Sequence, residues 1–301
     1  MLVNKVYKFR IYPNKDQEIL IAKIIGCSHF VFNHFLGMWN DIYKETGKGL
    51  NYNACSSQLT HLKKELVWLK EGDSITIQSS LKNLAVRRNS SGKYFVAILT
   101  EVEIQPPEKA DSTIGIDLGI TEFAILSDGH KIDNNKFTSK MEKKLKREQR
   151  KLSKRALIAK NYQKQTLKVD RLHDRVINQR DDFLNKLSTE IIKNHNIICI
   201  EDLNTKGMLR NHKLAKSISD VSWVAFVSKL EYKATWYGEK IVKISRWFPS
   251  SQIYSDCWHH DGNKSLEIRD WTCPICHANY DRDFNASKNI LAEGLRTLAL
   301  V

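Results

Sequence analysis

The sequence predicts an α/β protein, on three observations. Ile114–Leu126 crowds its apolar residues into two runs broken by Gly119 and Thr121, and Asp128-Gly129 behind them is a hairpin turn signal, so two buried strands begin a sheet. Asn196–Leu203 is another apolar strand pattern, ending in Glu201 and Asp202. Phe137–Leu187 holds no glycine or proline and spaces Leu145, Leu152, Leu167, Leu172 and Val176 through charged stretches, which predicts a helical hairpin or two long helices between those strands.

Ahead of the sheet, residues 1–105 read as a small α+β region. Lys5–Pro13 alternates apolar with basic residues and stops at a proline, the pattern of a half-buried strand with a positive outer face. A helix opens after Asn14-Lys15-Asp16-Gln17-Glu18, and Phe30–Trp39 carries it or a second one onward; Phe30, Phe32, Phe35 and Trp39 fall near helical spacing and are expected in the core. Asn53–Leu69 is an amphipathic helix with Leu59, Leu62, Leu66 and Leu69 on one face, and Tyr94–Leu99 is a strand after the turn Asn89–Lys93. Gln105–Asp111, with its two prolines, is a joint between domains. Past Leu187, Asp220–Tyr237 predicts a helix packing through Trp223, Phe226, Val227, Leu230 and Trp236, and Lys240–Ile244 a strand.

Three carboxylates stand at element ends. Asp117 sits alone in the first apolar strand, where an unmatched carboxylate is costly to bury. Glu201 closes the second strand, and Asp283 stands where a polar turn, Asp281-Arg282-Asp283, runs into a helix. Two Asp and one Glu from distant segments are the hard oxygen ligands that a two-metal phosphodiester hydrolase requires, one ion to activate water and one to stabilise the leaving oxygen.

The motifs Gly115-Ile-Asp-Leu-Gly-Ile, Ile200-Glu-Asp-Leu-Asn and Asp281-Arg-Asp-Phe-Asn-Ala-Ser-Lys-Asn-Ile-Leu, in that order, resemble the split nuclease domain of the TnpB (OrfB) proteins of small insertion sequences, relatives of the type V CRISPR effectors. Arg210–Ile218 and Phe248–Gln252 extend the resemblance, which covers Ser112 to Leu295. It implies an RNase H-like (RuvC-type) nuclease domain over 112–250 and 280–301, with Asp117, Glu201 and Asp283 as catalytic carboxylates holding Mg²⁺ or Mn²⁺. Asp202 and Asp281 match neighbours that are not ligands. The implied partners are DNA and a guide RNA from the transposon end, with no small-molecule substrate. Residues 1–105 then resemble the start of the family's wedge and recognition region, truncated: the helix over Gln78–Leu84 passes at once to Ala85-Val86-Arg87-Arg88, where relatives carry a basic segment and further strands. A strand left without its barrel neighbours presents an open edge.

Composition agrees with a polyanionic partner. The net charge is +14 over 301 residues, and Lys140, Lys143, Lys144, Lys146, Arg147, Arg150, Lys151, Lys154 and Arg155 load one predicted helix with bases that lack compensating acids. No apolar run approaches the ~20 residues of a membrane-spanning helix and no secretory signal opens the chain, so a cytoplasmic protein with no membrane partner is expected. Cys27, Cys55 and Cys199 are expected as buried reduced thiols.

Residues 251–279 read as a degenerate zinc ribbon. Cys273-Pro-Ile-Cys276 is a two-thiolate knuckle, but where relatives carry a second Cys-x2-Cys this chain has Tyr254-Ser-Asp-Cys257, with Trp258 for the usual glycine. Two readings stand: Zn²⁺ on Cys257, His260, Cys273 and Cys276, with His259 as a nearby substitute, or a metal-poor loop of ordinary thiols. For the whole chain the nuclease reading stands beside a nucleic-acid-binding protein that no longer cuts. A phosphate loop of the actin and sugar-kinase kind at Gly115 is disfavoured, because no second glycine-rich loop follows Glu201.

Overall fold

The alternating stretch at the N-terminus does form a strand, β1 (Leu2–Ile11), and the capping pattern after it starts a helix, α1 (Lys15–Thr46). Asn14 Oδ1 accepts from the Gln17 N–H at 2.9 Å while Gln17 Oε1 accepts from the Asn14 N–H at 3.0 Å, a reciprocal cap on two otherwise orphaned donors. The helix runs unbroken for 32 residues and ends at Gly47, whose φ of 69° suits a left-handed terminus. A computed structural model supplies this description for residues 2–71, 86–105, 112–262, 265 and 267–300. The expected helix over 78–84 and most of the joint at 105–111 lie outside the described residues.

Two compact units divide the chain, Asn4–Val102 and Glu103–Val301 with Met1–Val3. In the first, α2 (Tyr52–Glu65) and the 3-10 turn after it bring Leu59, Leu62 and Leu69 against Cys27, Val31 and Phe35 of α1. Strands β2 (Val86–Arg88) and β3 (Tyr94–Glu103) complete a three-stranded sheet in the order β1-β3-β2. The strand expected to present an open edge is therefore central, because β1 pairs along its other side. Two further expectations fail. β1 buries only Val3, leaving Val6, Tyr7 and Phe9 exposed, and of the aromatic stripe only Phe35 enters the core, while Phe30, Phe32 and Trp39 stay 36–46 % exposed. The described part of this unit is too small to cover both faces of a 32-residue helix. An 18-residue window of α1 also has a mean hydropathy of 1.5, so one helix is long and apolar enough to cross a membrane, against the sequence expectation; a core helix with a wide apolar face passes the same test.

The second unit is a mixed α/β layer structure. β4 (Thr113–Leu118), β5 (Glu122–Leu126) and β6 (Lys131–Asp133) run as an antiparallel meander, with Gly129 at φ 95° in the tight turn between β5 and β6. Two long helices follow, α3 (Phe137–Ser153) and α4 (Lys160–Asn194), then β7 (Ile197–Glu201) parallel to β4. Short helices α5 (Thr205–Met208) and α6 (Ala215–Val221) lead into α7 (Trp223–Tyr237), and β8 (Lys240–Ile244) pairs parallel with β7. The helix expected over 220–237 is two, parted at Ser222, whose φ is 57°. A two-stranded hairpin, β9 (Asp270–Thr272) and β10 (Asn279–Asp281), precedes the final helix α8 (Arg282–Ala299).

Strand alternation divides the core. Ile114, Ile116, Ile198 and Ile200 point to one face and pack with Leu184 and Ile191 of α4 and Phe226 and Leu230 of α7. Cys199, Val242 and Ile244 belong to the other face, under Ile290 of α8. Each such fully buried side chain contributes about 1.5–3 kcal/mol.

Candidate active site

Position along the sheet follows from the same alternation. Asp117 is two residues beyond Gly115 and Glu201 two beyond Cys199, so both carboxylates lie on the face that α8 covers. Ile116 pairs with Ile200 across the parallel strands, which sets Asp117 and Glu201 side by side at the carboxyl ends. α8 approaches that face closely because two glycines admit it. A Cβ on Gly115 would lie 2.2 Å from the Ser287 carbonyl oxygen, and one on Gly294 would lie 2.3 Å from Cys199 Sγ. Asp283 stands in the first turn of α8, capped by Asp281, whose Oδ1 accepts from the Phe284 N–H at 2.9 Å.

Asp117 senses the charges of the other two carboxylates. Burial raises the Asp117 carboxyl to about 7, and the charges of Asp283 and then Glu201 add to the rise. Burial, with Asp202 beside it, raises Glu201 as well. Yet among the described residues the three do not bring one oxygen each within 4.8 Å of one another. Asp283 is drawn aside by Arg269, whose Nη1 donates to its two oxygens at 2.9 and 3.3 Å. Clustered, partly desolvated carboxylates suit hard divalent cations. Loading all three onto shared ions requires Asp283 to exchange Arg269 for the metal. The sequence offered no signal for Arg269, which immediately precedes β9, 14 residues before Asp283. Asp202 and Asp281 are engaged elsewhere, Asp202 by Arg246 and Asp281 by Lys131 at 2.7 Å.

The cysteine hairpin gathers Cys257, Cys273 and Cys276, whose sulfurs all lie within 4.8 Å of one another, and Cys257 Sγ is 3.5 Å from Cys273 Sγ. His260 does not join them. It is exposed, and its backbone bridges to Ile253, so the cluster among the described residues holds three of the four expected zinc ligands. Of the other cysteines, Cys27 and Cys199 are buried as expected and Cys55 is partly so.

The basic helix α3 is a stripe rather than an uncompensated block. Glu142 pairs with Lys146 and Lys216, and the buried Glu148 pairs with Arg147 and Lys151 and accepts from Gln165 at 2.9 Å. Lys143, Arg150 and Lys154 have no carboxylate partner among the described residues, and with Lys146, Arg147 and Lys151 they line a groove of about 420 Å³.

The chain is similar to known proteins along nearly its whole length. The family model of OrfB proteins, described as "Probable transposase", matches residues 95–212, a "Cas12f1-like, TNB domain" matches 223–290, and a "Helix-turn-helix domain" matches 1–48, which here folds as one strand and one continuous helix. A "Putative RNA-guided DNA endonuclease" of Streptomyces pristinaespiralis is 32% identical over 366 positions, covering 99% of this chain and 91% of that one. InsQ of Escherichia coli, of the same description, is 28% identical over 376 positions, covering 98% and 93%. The first alignment exceeds the 301-residue chain by 65 positions, so at least 65 are gaps in this chain. Among solved structures, a Cas12f1–sgRNA–target DNA complex matches with a TM-score of 0.44 and 15% identity, over 96% of this chain and 99% of that one. By its near-complete alignment with the Streptomyces relative, the chain belongs to the OrfB (TnpB) transposase family.

Proposed function

We propose that this chain is an RNA-guided DNA endonuclease whose residues 112–250 and 280–301 form an RNase H-like nuclease domain, interrupted by a ribbon over 251–279. The observation that carries the reading is Asp117. Its carboxyl is raised to about 7 by burial and by the charges of Asp283 and Glu201, so the sheet edge concentrates negative charge that Arg282, and Arg269 at Asp283, offset only in part. A sheet ordered β6-β5-β4-β7-β8, with α8 laid over the carboxylate face, supports the fold assignment.

Asp117, Glu201 and Asp283 would hold Mg²⁺ or Mn²⁺, which would supply charge neutralisation at the phosphodiester and an activated water. The chain's own part is positional. β4 and β7 fix two carboxylates on a rigid parallel pair, α8 brings the third, and the bases of α3 hold the sugar–phosphate backbone without reading its sequence. Sequence choice falls to base pairing with a guide RNA, the partner named in the relatives' description.

The test is cleavage of guide-matched DNA in Mg²⁺ by the full chain with its co-purifying RNA, beside Asp283→Ala. The wild type is expected to cut and the variant to lose cutting while keeping DNA binding. Cleavage by Asp283→Ala would remove the site assignment. The gaps of at least 65 positions favour a second reading, a protein that binds RNA and DNA without cutting. A gel shift without cleavage from one wild-type preparation would select it.

A further inference from the structure

The cysteine hairpin departs from a closed four-ligand metal site in a specific way. Three sulfurs within 4.8 Å of one another, two of them 3.5 Å apart, suit one ion with metal–sulfur bonds of about 2.3 Å. The Ile275 N–H donates to Cys273 Sγ at 3.4 Å and holds that sulfur in place. The fourth corner is where the chain differs. Tyr254, which stands in the first position of what would be a Cys-x2-Cys pair with Cys257, is 1 % exposed, and its hydroxyl donates to Asp261 Oδ2 at 2.8 Å. Its ring packs against Trp271 and Tyr280 with centroids 6.2 and 5.2 Å away. His259 lies over that ring at 5.9 Å, and neither it nor His260 brings a nitrogen among the sulfurs.

We infer that the hairpin is a three-thiolate site for a thiophilic cation, Zn²⁺ or its stand-in Co²⁺, whose fourth coordination is taken by a small exogenous ligand such as water, a halide or a thiol. Two features permit this. The aromatic cluster of Tyr254, Trp271 and Tyr280 packs around Cys273 and gives the hairpin a core that does not need a fourth protein ligand. Cys276 is exposed, so one edge of the thiolate set faces solvent and small ligands reach it. A structural zinc site keeps all four positions for the protein, whereas three protein ligands leave one exchangeable. This inference is independent of the nuclease reading, since it concerns metal uptake by the hairpin alone.

The test is optical titration of the full-length, reduced chain with Co²⁺. The wild type is expected to take up one ion per chain, with sulfur-to-cobalt charge-transfer intensity of three bonds and visible bands that shift when azide or 2-mercaptoethanol is added. His260→Ala is expected to leave the spectrum unchanged. Tyr254→Cys is expected to raise the charge-transfer intensity by about a third, as four thiolates replace three, and to abolish the response to added ligands. Absence of cobalt uptake by the wild type overturns the inference. So does a wild-type spectrum indifferent to added ligands, or loss of intensity in His260→Ala, which would make that histidine the fourth ligand.

Discussion

Replacing Asp117 by Asn is expected to stabilise the metal-free protein, by an amount that depends on pH. A carboxyl carried from 3.8 to about 7 has its ionised form disfavoured by about 4 kcal/mol relative to the unfolded chain. Asp117 keeps some contact with solvent, so screening makes that figure a ceiling. The sign follows from proton uptake. Between 3.8 and about 7 the folded state binds the proton and the unfolded state does not, so the wild type loses stability as pH rises through this window and holds level above it. Asn carries no charge to desolvate, and the variant's advantage should be near zero at pH 4 and full by pH 8. For a domain of this size about 4 kcal/mol corresponds to a melting shift of roughly 8–16 °C. The assay is thermal unfolding of wild type and Asp117→Asn across pH 4–8, with and without MgCl₂. Added Mg²⁺ should close the gap by stabilising the wild type alone. A difference between the two proteins that is constant across pH, or unaffected by Mg²⁺, would refute the reasoning that this carboxylate is held against repulsion for a cation.

Other outcomes follow from the same geometry. Gly115→Ala drives a methyl into the Ser287 carbonyl and should lower stability by about 1–3 kcal/mol, read in denaturant melts, with cleavage lost as α8 shifts Asp283. Arg269→Ala frees Asp283 from a half-exposed ion pair and should tighten Mn²⁺ binding by up to about fivefold, read by electron paramagnetic resonance of free Mn²⁺. The triple change Lys143→Ala, Arg150→Ala, Lys154→Ala should weaken duplex binding and reduce the slope of log K against log salt by up to about 3, measured by fluorescence anisotropy; an unchanged slope places the DNA elsewhere. Asp220→Ala removes the acceptor of Arg180 at 2.7 Å and of the Thr138 hydroxyl at 2.6 Å, and should cost about 3–5 kcal/mol in melts because Arg180 is then left largely buried and unpaired.

What the sequence disclosed was periodicity and punctuation. The strands at 113–126, 197–201 and 240–244 and the two long helices between them were legible because apolar spacing decides burial when an element has both faces covered. In the N-terminal unit the same patterns misled. Phe30, Phe32 and Trp39 keep helical spacing, but a spacing names a face without naming what covers it. Side-chain partners at long range were invisible too. Glu142 and Glu148 stand on α3 itself and pair with its Lys146, Arg147 and Lys151, but the further ties of Glu142 to Lys216 and of Glu148 to Gln165 reach other helices and cannot be read along one helix. His260 has the ligand spacing, but the bridge from Ile253 commits its backbone to a different course.

The candidate site shows why local reading still went far there. Asp117 and Glu201 share a face because each lies two residues past a small residue, Gly115 and Cys199, and period-two alternation carries that face to the strand ends. Smallness at those positions lets α8 press against the sheet, with Gly294 answering Cys199. The depth of α8 then sets how far Asp283 stands from Asp117, and so how strongly the carboxylates repel. Two glycines far apart in the chain thus regulate the charge density of the site, which is why substituting Gly115 is expected to reach function through Asp283, without touching any acidic residue.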